Sequence, residues 1–306
     1  MIHVIANPEA GGGRSVGMAS TLAREMANAG LSCHVHVPSS KLDTQRVARR
    51  VAEHGVVVAC GGDGTVHDCL QGVMTADVDT PRFAIWPTGT GNDIARHLTT
   101  LDTSDPSLLI KSVLQEDVRL IDVGVAACGP AENRHQRYFL GVLSCGFDST
   151  VNERANAMPA RVGRARYLLG VVRELPAYRP RWFAIDSDGD DHSMAAMLVA
   201  VGNGPAYGSG MYVCPAAEMD DGLLDITVVT DTTRRTFVSV FPKVYSGRHL
   251  EHESVKTWRG RRLSIDAPDS IVYADGERVG PLPARIDLLA GALRFVGPPE
   301  HTRGDA

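Results

Sequence analysis

The sequence predicts an α/β protein in two parts. A doubly wound α/β domain spans residues 1–125 and an antiparallel β-sandwich domain spans residues 126–291, with a final strand at 292–300 able to return to the first domain. Three observations carry this reading. Strand-like and helix-like segments alternate in short periods up to residue 125, a pattern that yields a parallel sheet with helices on both faces. Glycine-rich stretches follow three of those strands, on the carboxyl edge where such sheets bind ligands. Beyond residue 125 the chain turns to short apolar runs divided by turn residues, as sandwiches do. The length, 306 residues, fits two cores, since single cores seldom exceed about 250–300 residues.

In the first part, Ile2–Ala6, Cys33–Val37, Gly55–Cys60, Arg82–Trp86 and Arg119–Val125 are strand-like runs, of which Val56–Cys60 is apolar and rich in β-branched residues. Between them, Ser15–Ala29, Thr44–His54, Thr65–Thr75, Asp93–Leu98 and Ser107–Glu116 have helical spacing. In the second part the strand-like runs are Tyr138–Leu143, Trp182–Ile185, Met194–Val201, Gly222–Val229, Arg262–Ile265, Ser270–Tyr273, Arg285–Leu289 and Ala292–Phe295. Asp188-Gly189-Asp190, Asp221-Gly222 and Ala290-Gly291 read as the turns between them.

The composition, 43% hydrophobic and 22% charged, is that of an ordinary globular chain. A formal net charge of −5 argues against a general nucleic-acid binder. No run approaches the ~18 apolar residues of a membrane span, and the start, Met1-Ile2-His3-Val4-Ile5, has no signal-peptide pattern; a cytoplasmic location is expected. Six scattered cysteines form no CxxC or His/Cys cluster and read as reduced, buried residues rather than a zinc site or disulfide framework.

The chemistry centres on Gly61-Gly62-Asp63-Gly64-Thr65, set directly after the apolar run Val56–Cys60. At a strand-to-helix corner, small residues admit a ligand close to the backbone, and the N–H groups opening the next helix attract phosphate. Asp63 adds a carboxylate at the same place. Phosphate and carboxylate repel unless a hard cation such as Mg²⁺ lies between them or the carboxylate takes a proton from an attacking hydroxyl. The motif therefore predicts nucleotide phosphate and Mg²⁺. Asn7-Pro8 with Gly11–Gly13 after the first strand, and Pro87–Asp93 after the fourth, join it on the same edge. No glycine is followed by Lys and then Ser or Thr, so a Walker A loop is absent; Gly11/Gly13 and Gly89/Gly91 fail to complete Gly-x-Gly-x-x-Gly/Ala.

Taken in order, Asn7-Pro8 with Gly11–Gly13, Gly61–Thr65, Pro87–Asp93 and Asp275-Gly276-Glu277 resemble the diacylglycerol kinase catalytic-domain family, which includes bacterial lipid kinases and sphingosine kinases. The resemblance covers nearly the whole chain and implies an NAD-kinase/diacylglycerol-kinase-like fold. It implies an ATP-dependent lipid kinase, most simply one converting diacylglycerol to phosphatidic acid, with ATP and Mg²⁺. By position it implies ATP contacts at Asn7, Gly12, Gly13, Gly61, Gly62, Asp63, Gly64, Thr65, Thr88, Gly89, Thr90 and Asn92. It makes Glu277 the proton acceptor, with Asp63 the rival base, and associates Asp63, Asp93 and Asp122 with the catalytic Mg²⁺. A structural Mg²⁺ is implied at the Asp221 side chain and the backbone carbonyls of Glu218 and Leu223. His67-Asp68 departs from the family, where Asn-Glu is frequent.

Between Asn152 and Trp182 seven arginines face two glutamates. This basic segment, Arg154–Trp182, suits peripheral contact with the inner face of an anionic membrane, while a core-packed helix with a solvated basic face is the plainer reading. In-line transfer is expected, with the glycine loops cradling the phosphates and Glu277 brought over from the second domain to a cleft between them. The alternatives are NAD kinase or another small-molecule kinase, and a catalytically idle nucleotide-binding module. The NAD-kinase Asn-Glu motif has no counterpart here. The acceptor lipid is left open by the sequence, and a homodimer is the commonest assembly of such chains.

Overall fold

Alternating apolar strands and amphipathic helices assemble into the layers that the pattern demands. The computed structural model describes residues 1–101, 103–156, 170, 173–174 and 178–298. The chain forms two units, one made of Met1–Val123, Met219–Gly222 and the chain from Leu289 on, the other of Gly124–Glu218 and Leu223–Leu288.

The first unit opens with β1 (Ile2–Ala6), α1 (Ser15–Asn28), β2 (Cys33–His36), α2 (Lys41–Ala52), β3 (Val56–Gly61), α3 (Asp63–Val73), β4 (Arg82–Pro87), α4 (Asp93–Arg96) and α5 (Ser107–Leu114). The strands lie in the order β2-β1-β3-β4, all parallel. All six residues of β3 are buried, as a central strand covered on both faces requires. Leu22 and Met26 of α1 pack into one core cluster with Val4, Val58 and Ala84. Ser40 caps α2 by accepting the Asp43 N–H, with Arg49 and Arg50 in the last turn where the helix dipole favours cations. That cap starts α2 at Lys41, ahead of the apolar periodicity that marks Thr44 as its first residue.

The second unit is built on antiparallel pairs. It contains β5 (Val118–Cys128) from Gly124 on, β6 (His135–Phe139), β7 (Val142–Gly146), α6 (Phe147–Asn156), β8 (Arg181–Ser187), β9 (Asp190–Asp191), β10 (Met194–Gly202), β11 (Leu224–Thr230), α7 (Arg234–Val240), β12 (Val255–Gly260), β13 (Arg262–Asp266), β14 (Ile271–Ala274), β15 (Glu277–Pro281) and β16 (Ala284–Val296) up to Leu288. The order β15-β14-β7-β10-β8-β13-β16 forms the main path, and β11 joins β10 to β12. Inward residues such as Leu143, Val199, Ile226, Ile265 and Val272 share one core.

Two expectations are corrected. The run Tyr138–Leu143 is two strands, because the Asp275 carboxylate accepts the N–H groups of Leu140 (3.0 Å) and Gly141 (2.9 Å) and takes both out of the ladder. Ala290-Gly291 is no turn: β16 runs through it unbroken, with Gly291 at φ +57° and its N–H donated to the Asp122 carboxylate at 2.7 Å. In the first unit Arg294 and Phe295 of β16 extend the parallel sheet beside β4. Sequence patterning also passes over α7, β12 and β15.

Candidate active site

The glycine-rich loops of the first unit meet on one cavity of about 450 Å³, lined by Asn7, Gly12, Gly62, Asp63, Gly64, Thr65, Gly89 and Thr90 together with Glu9, Lys41, Asp68 and Gly91. Its size falls in the usual range for small-ligand sites. The cavity is built by strand ends. β3 delivers Gly61 and Gly62, and α3 begins at Asp63 with Gly62 as an extended N-cap. First-turn N–H groups have no carbonyl within their own helix, so this corner offers donors and a positive dipole end to an anion. β4 delivers the third loop, and the Thr88 N–H donates to the Gly61 carbonyl at 3.0 Å, joining the two. Asn7 shapes the first loop: its side chain accepts the Glu9 N–H (2.9 Å) and its carbonyl the Ala10 N–H (3.1 Å). Gly12 and Gly13 there adopt φ of +68° and +87°.

Asp63 Oδ1 accepts the Ile94 N–H at 3.2 Å, which fixes the carboxylate on the cavity wall and ties α3 to α4. Asn92 stands in the left-handed region at φ 55°, donates to the Gly89 carbonyl at 3.0 Å and keeps Oδ1 buried with no donor. An oxygen of that kind suits a hard cation or a ligand hydroxyl. The glycine cradle, Asp63 and Asn92 Oδ1 therefore fit a magnesium-bound nucleotide.

Asp93 and Asp122 each have partners within the first unit. Asp93 is buried and lies 3.7 Å from Arg96. Asp122 accepts the N–H of Gly222 and of Gly291, each at 2.7 Å, and donates its own N–H to the Met219 carbonyl. Among the described residues no group of three His, Cys, Asp or Glu side chains is placed to hold a metal ion. Asp221 and Leu223 are half-buried and Glu218 is exposed, all in the turn that Asp122 anchors at Met219 and Gly222. Asp68 accepts from Gln45 Nε2 at 3.3 Å and still borders the cavity.

In the second unit Glu277 opens β15 and pairs with Ala274 across the Asp275-Gly276 turn, whose residues have φ of +51° and +81°. The Asp275 bonds to Leu140 and Gly141 pin this hairpin. Sequence reasoning missed Lys41 and Glu9 as cavity residues; a Ser40 cap would have placed Lys41 at a helix N-terminus on the ligand edge. Most of Arg154–Trp182 lies outside the described residues.

Residues 1–126 match the model of the diacylglycerol kinase catalytic domain, and residues 141–297 match that of the YegS C-terminal NAD kinase beta sandwich-like domain. A Mycobacterium tuberculosis protein named diacylglycerol kinase is 34% identical over 300 residues, 97% of this chain and 95% of the relative. Lipid kinase YegS of Escherichia coli is 27% identical over 277 residues, 89% of this chain and 88% of the relative. A Bacillus anthracis crystal structure superposes with a TM-score of 0.77 at 26% identity, covering 97% of both chains. Yeast NADH kinase bound to NADH shares the fold alone, with a TM-score of 0.56 at 11% identity over 98% of this chain and 84% of that one.

Proposed function

The chain belongs to the diacylglycerol kinase catalytic-domain family, and on that footing we propose that it transfers the γ-phosphoryl group of ATP to a lipid hydroxyl, with diacylglycerol as the acceptor and phosphatidic acid as the product. The observation that carries the phosphoryl chemistry is the cavity where three glycine-rich loops, a helix N-terminus and the Asp63 carboxylate meet. The 34% identity to the diacylglycerol kinase over 97% of the chain supports the acceptor.

In this reading the backbone N–H groups of Gly62, Asp63 and Gly64 hold the phosphates, while Asn7 and Gly12 close the first loop over them. Asp63 and Asn92 Oδ1 would hold Mg²⁺, which when bound offsets charge on the transferring group. Glu277 accepts the proton of the lipid hydroxyl as it attacks; its support is the pinned Asp275-Gly276 turn that fixes the start of β15. Asp221 with the carbonyls of Glu218 and Leu223 forms a second, structural cation site. No described helix is long and apolar enough to cross a membrane, so the enzyme would reach its lipid by peripheral contact.

The test is transfer of label from γ-labelled ATP with Mg²⁺ into diacylglycerol in mixed micelles, with NAD and sphingosine in parallel. Label in phosphatidic acid is the expected result. Label in another lipid would change the acceptor, label in NADP would replace the reading by NAD kinase, and ATP binding without any transfer would leave an idle nucleotide-binding module.

A further inference from the structure

The second unit carries a surface that the kinase chemistry leaves unused. From Thr232 to Leu250 the chain holds four cations, Arg234, Arg235, Lys243 and Arg248, and no carboxylate, in a protein whose formal net charge is −5. All four are exposed. Arg248 pairs with Glu251 at 3.3 Å, just past the segment. The segment folds as α7 followed by two 3-10 turns, Phe241–Ser246 and Arg248–Glu251. Thr233 caps α7 by accepting the Thr236 N–H at 3.1 Å.

Its two faces differ. Phe237, Val240 and Val244 point inward and are buried. With Phe241 and His249 they wall one side of an apolar cavity of about 50 Å³. On the outer face Val238 is 56% and Tyr245 52% exposed, beside the cations. Large apolar side chains held in water among arginines and lysines are what an amphipathic element presents to a lipid headgroup layer: Val and Tyr enter the acyl boundary while the cations meet phosphate. Solvation of a basic face explains the charges alone, whereas docking on lipid uses the charges together with the adjoining exposed Val238 and Tyr245.

We infer that Thr232–Leu250 is the surface by which this protein docks on an anionic phospholipid bilayer. The inference rests on the lipid-kinase reading for its purpose, and the apolar cavity directly beneath gives the docked face continuity with the interior of the same unit. Each basic residue near such a surface is worth about 1 kcal/mol, or roughly fivefold in partitioning.

The experiment is sedimentation of the purified full chain with vesicles of phosphatidylcholine alone or mixed with phosphatidylglycerol, at low and high salt. Wild type should sediment with the mixed vesicles only, and less as salt rises. Replacing Arg234, Arg235 and Lys243 together by Gln should lower partitioning on the order of a hundredfold, and Val238→Ser with Tyr245→Ser should lower it independently. A matched control replaces the exposed Arg46, Arg49 and Arg50 of α2 by Gln, with the same change in net charge, and should bind as wild type does. Failure of wild type to bind, full binding by the first triple variant, or equal loss in the control would overturn the inference. Phosphorylation of a dispersed short-chain diacylglycerol, measured on the same samples, should be unchanged in the first triple variant. Docking through these residues without any lipid phosphorylation would overturn the kinase reading and leave the docking surface standing.

Discussion

A Cβ built on Gly89 would stand 2.4 Å from the Cα of Gly62, and one built on Gly62 would stand 3.2 Å from the Cα of Gly89. The second and third glycine-rich loops therefore touch backbone to backbone, and the proposed phosphate cradle is one surface rather than two neighbouring turns. Neither loop can accept a methyl group without displacing the other.

Gly89→Ala should weaken ATP binding by about tenfold or more. Overpacking of this kind costs about 1–3 kcal/mol, and here the strain falls on the cradle itself. Titration calorimetry with ATP reads the effect directly. Gly17→Ala supplies the contrast: Gly17 lies inside α1 with nothing within 4 Å of its added Cβ, so thermal stability should hold or rise by about 0.5–1 kcal/mol.

Asp63→Asn should keep the fold, because an amide oxygen can still accept the Ile94 N–H, while removing the charge beside the phosphates. We expect kcat to fall on the order of a hundredfold or more, with the melting temperature nearly unchanged. Turnover within a few-fold of wild type would remove Asp63 from the chemistry and leave it the role of tying α3 to α4.

Glu277→Gln separates the two candidate bases. A general base contributes about 10²–10⁴-fold, so kcat should drop by that factor while ATP affinity holds, since Glu277 is absent from the walls of the proposed nucleotide cavity. If Asp63 is the base instead, Glu277→Gln should alter kcat only slightly.

Asp122→Ala should act on stability first. Both carboxylate oxygens take backbone N–H groups at 2.7 Å, from Gly222 and Gly291, and hydrogen bonds to charged groups are worth about 1.5–3 kcal/mol each. The expected loss is roughly 3 kcal/mol in denaturant unfolding, with Asp122→Asn intermediate. A catalytic-metal role would show the opposite pattern, with kcat lost and stability kept.

Asp122 also marks where sequence reading reaches its end. The strand and helix of each β-α step were legible because a buried parallel strand must be a continuous apolar run and its helix must carry a 3.6-residue stripe, as Val56–Cys60 and the segment after Asp63 do. The loops were legible because glycine adopts positive φ, such as the +68° and +87° of Gly12 and Gly13, at the least steric cost. Asp122, by contrast, draws its partners from residues 100 and 169 positions away, and no local pattern announces such a bond. Asp275 likewise divides an apolar run at Leu140 and Gly141 from 135 and 134 positions downstream. The apolar stripe Phe237, Val240 and Val244, which runs from α7 into the first 3-10 turn, was visible in principle; it falls in a region otherwise read as strands, and the two 3-10 turns break the helical period.

His3 of β1 lies beside His36 of β2, Nδ1 to Nε2 at 3.2 Å, with its ring stacked on that of His34. Burial, then the neighbouring His36 and His34, pushes the His3 pKa down to about 4, with smaller contributions from the N-terminus and His54; His36 is lowered by its own burial, by Arg50 and by His34. The folded state thus holds His3 neutral where the unfolded chain, with a pKa near 6.5, takes up a proton. Between pH 6.5 and 4 the unfolded state binds more protons, so stability must rise with pH across that window and fall as the solution is acidified. One pKa unit is worth about 1.4 kcal/mol, which makes the His3 share roughly 2–3 kcal/mol. Denaturant unfolding at pH 7 and pH 4.5 should show this loss in wild type and a shallower one in His3→Gln, the carboxylate contribution being common to both. Equal slopes for the two proteins would mean that the cluster titrates no differently in the fold than in the open chain.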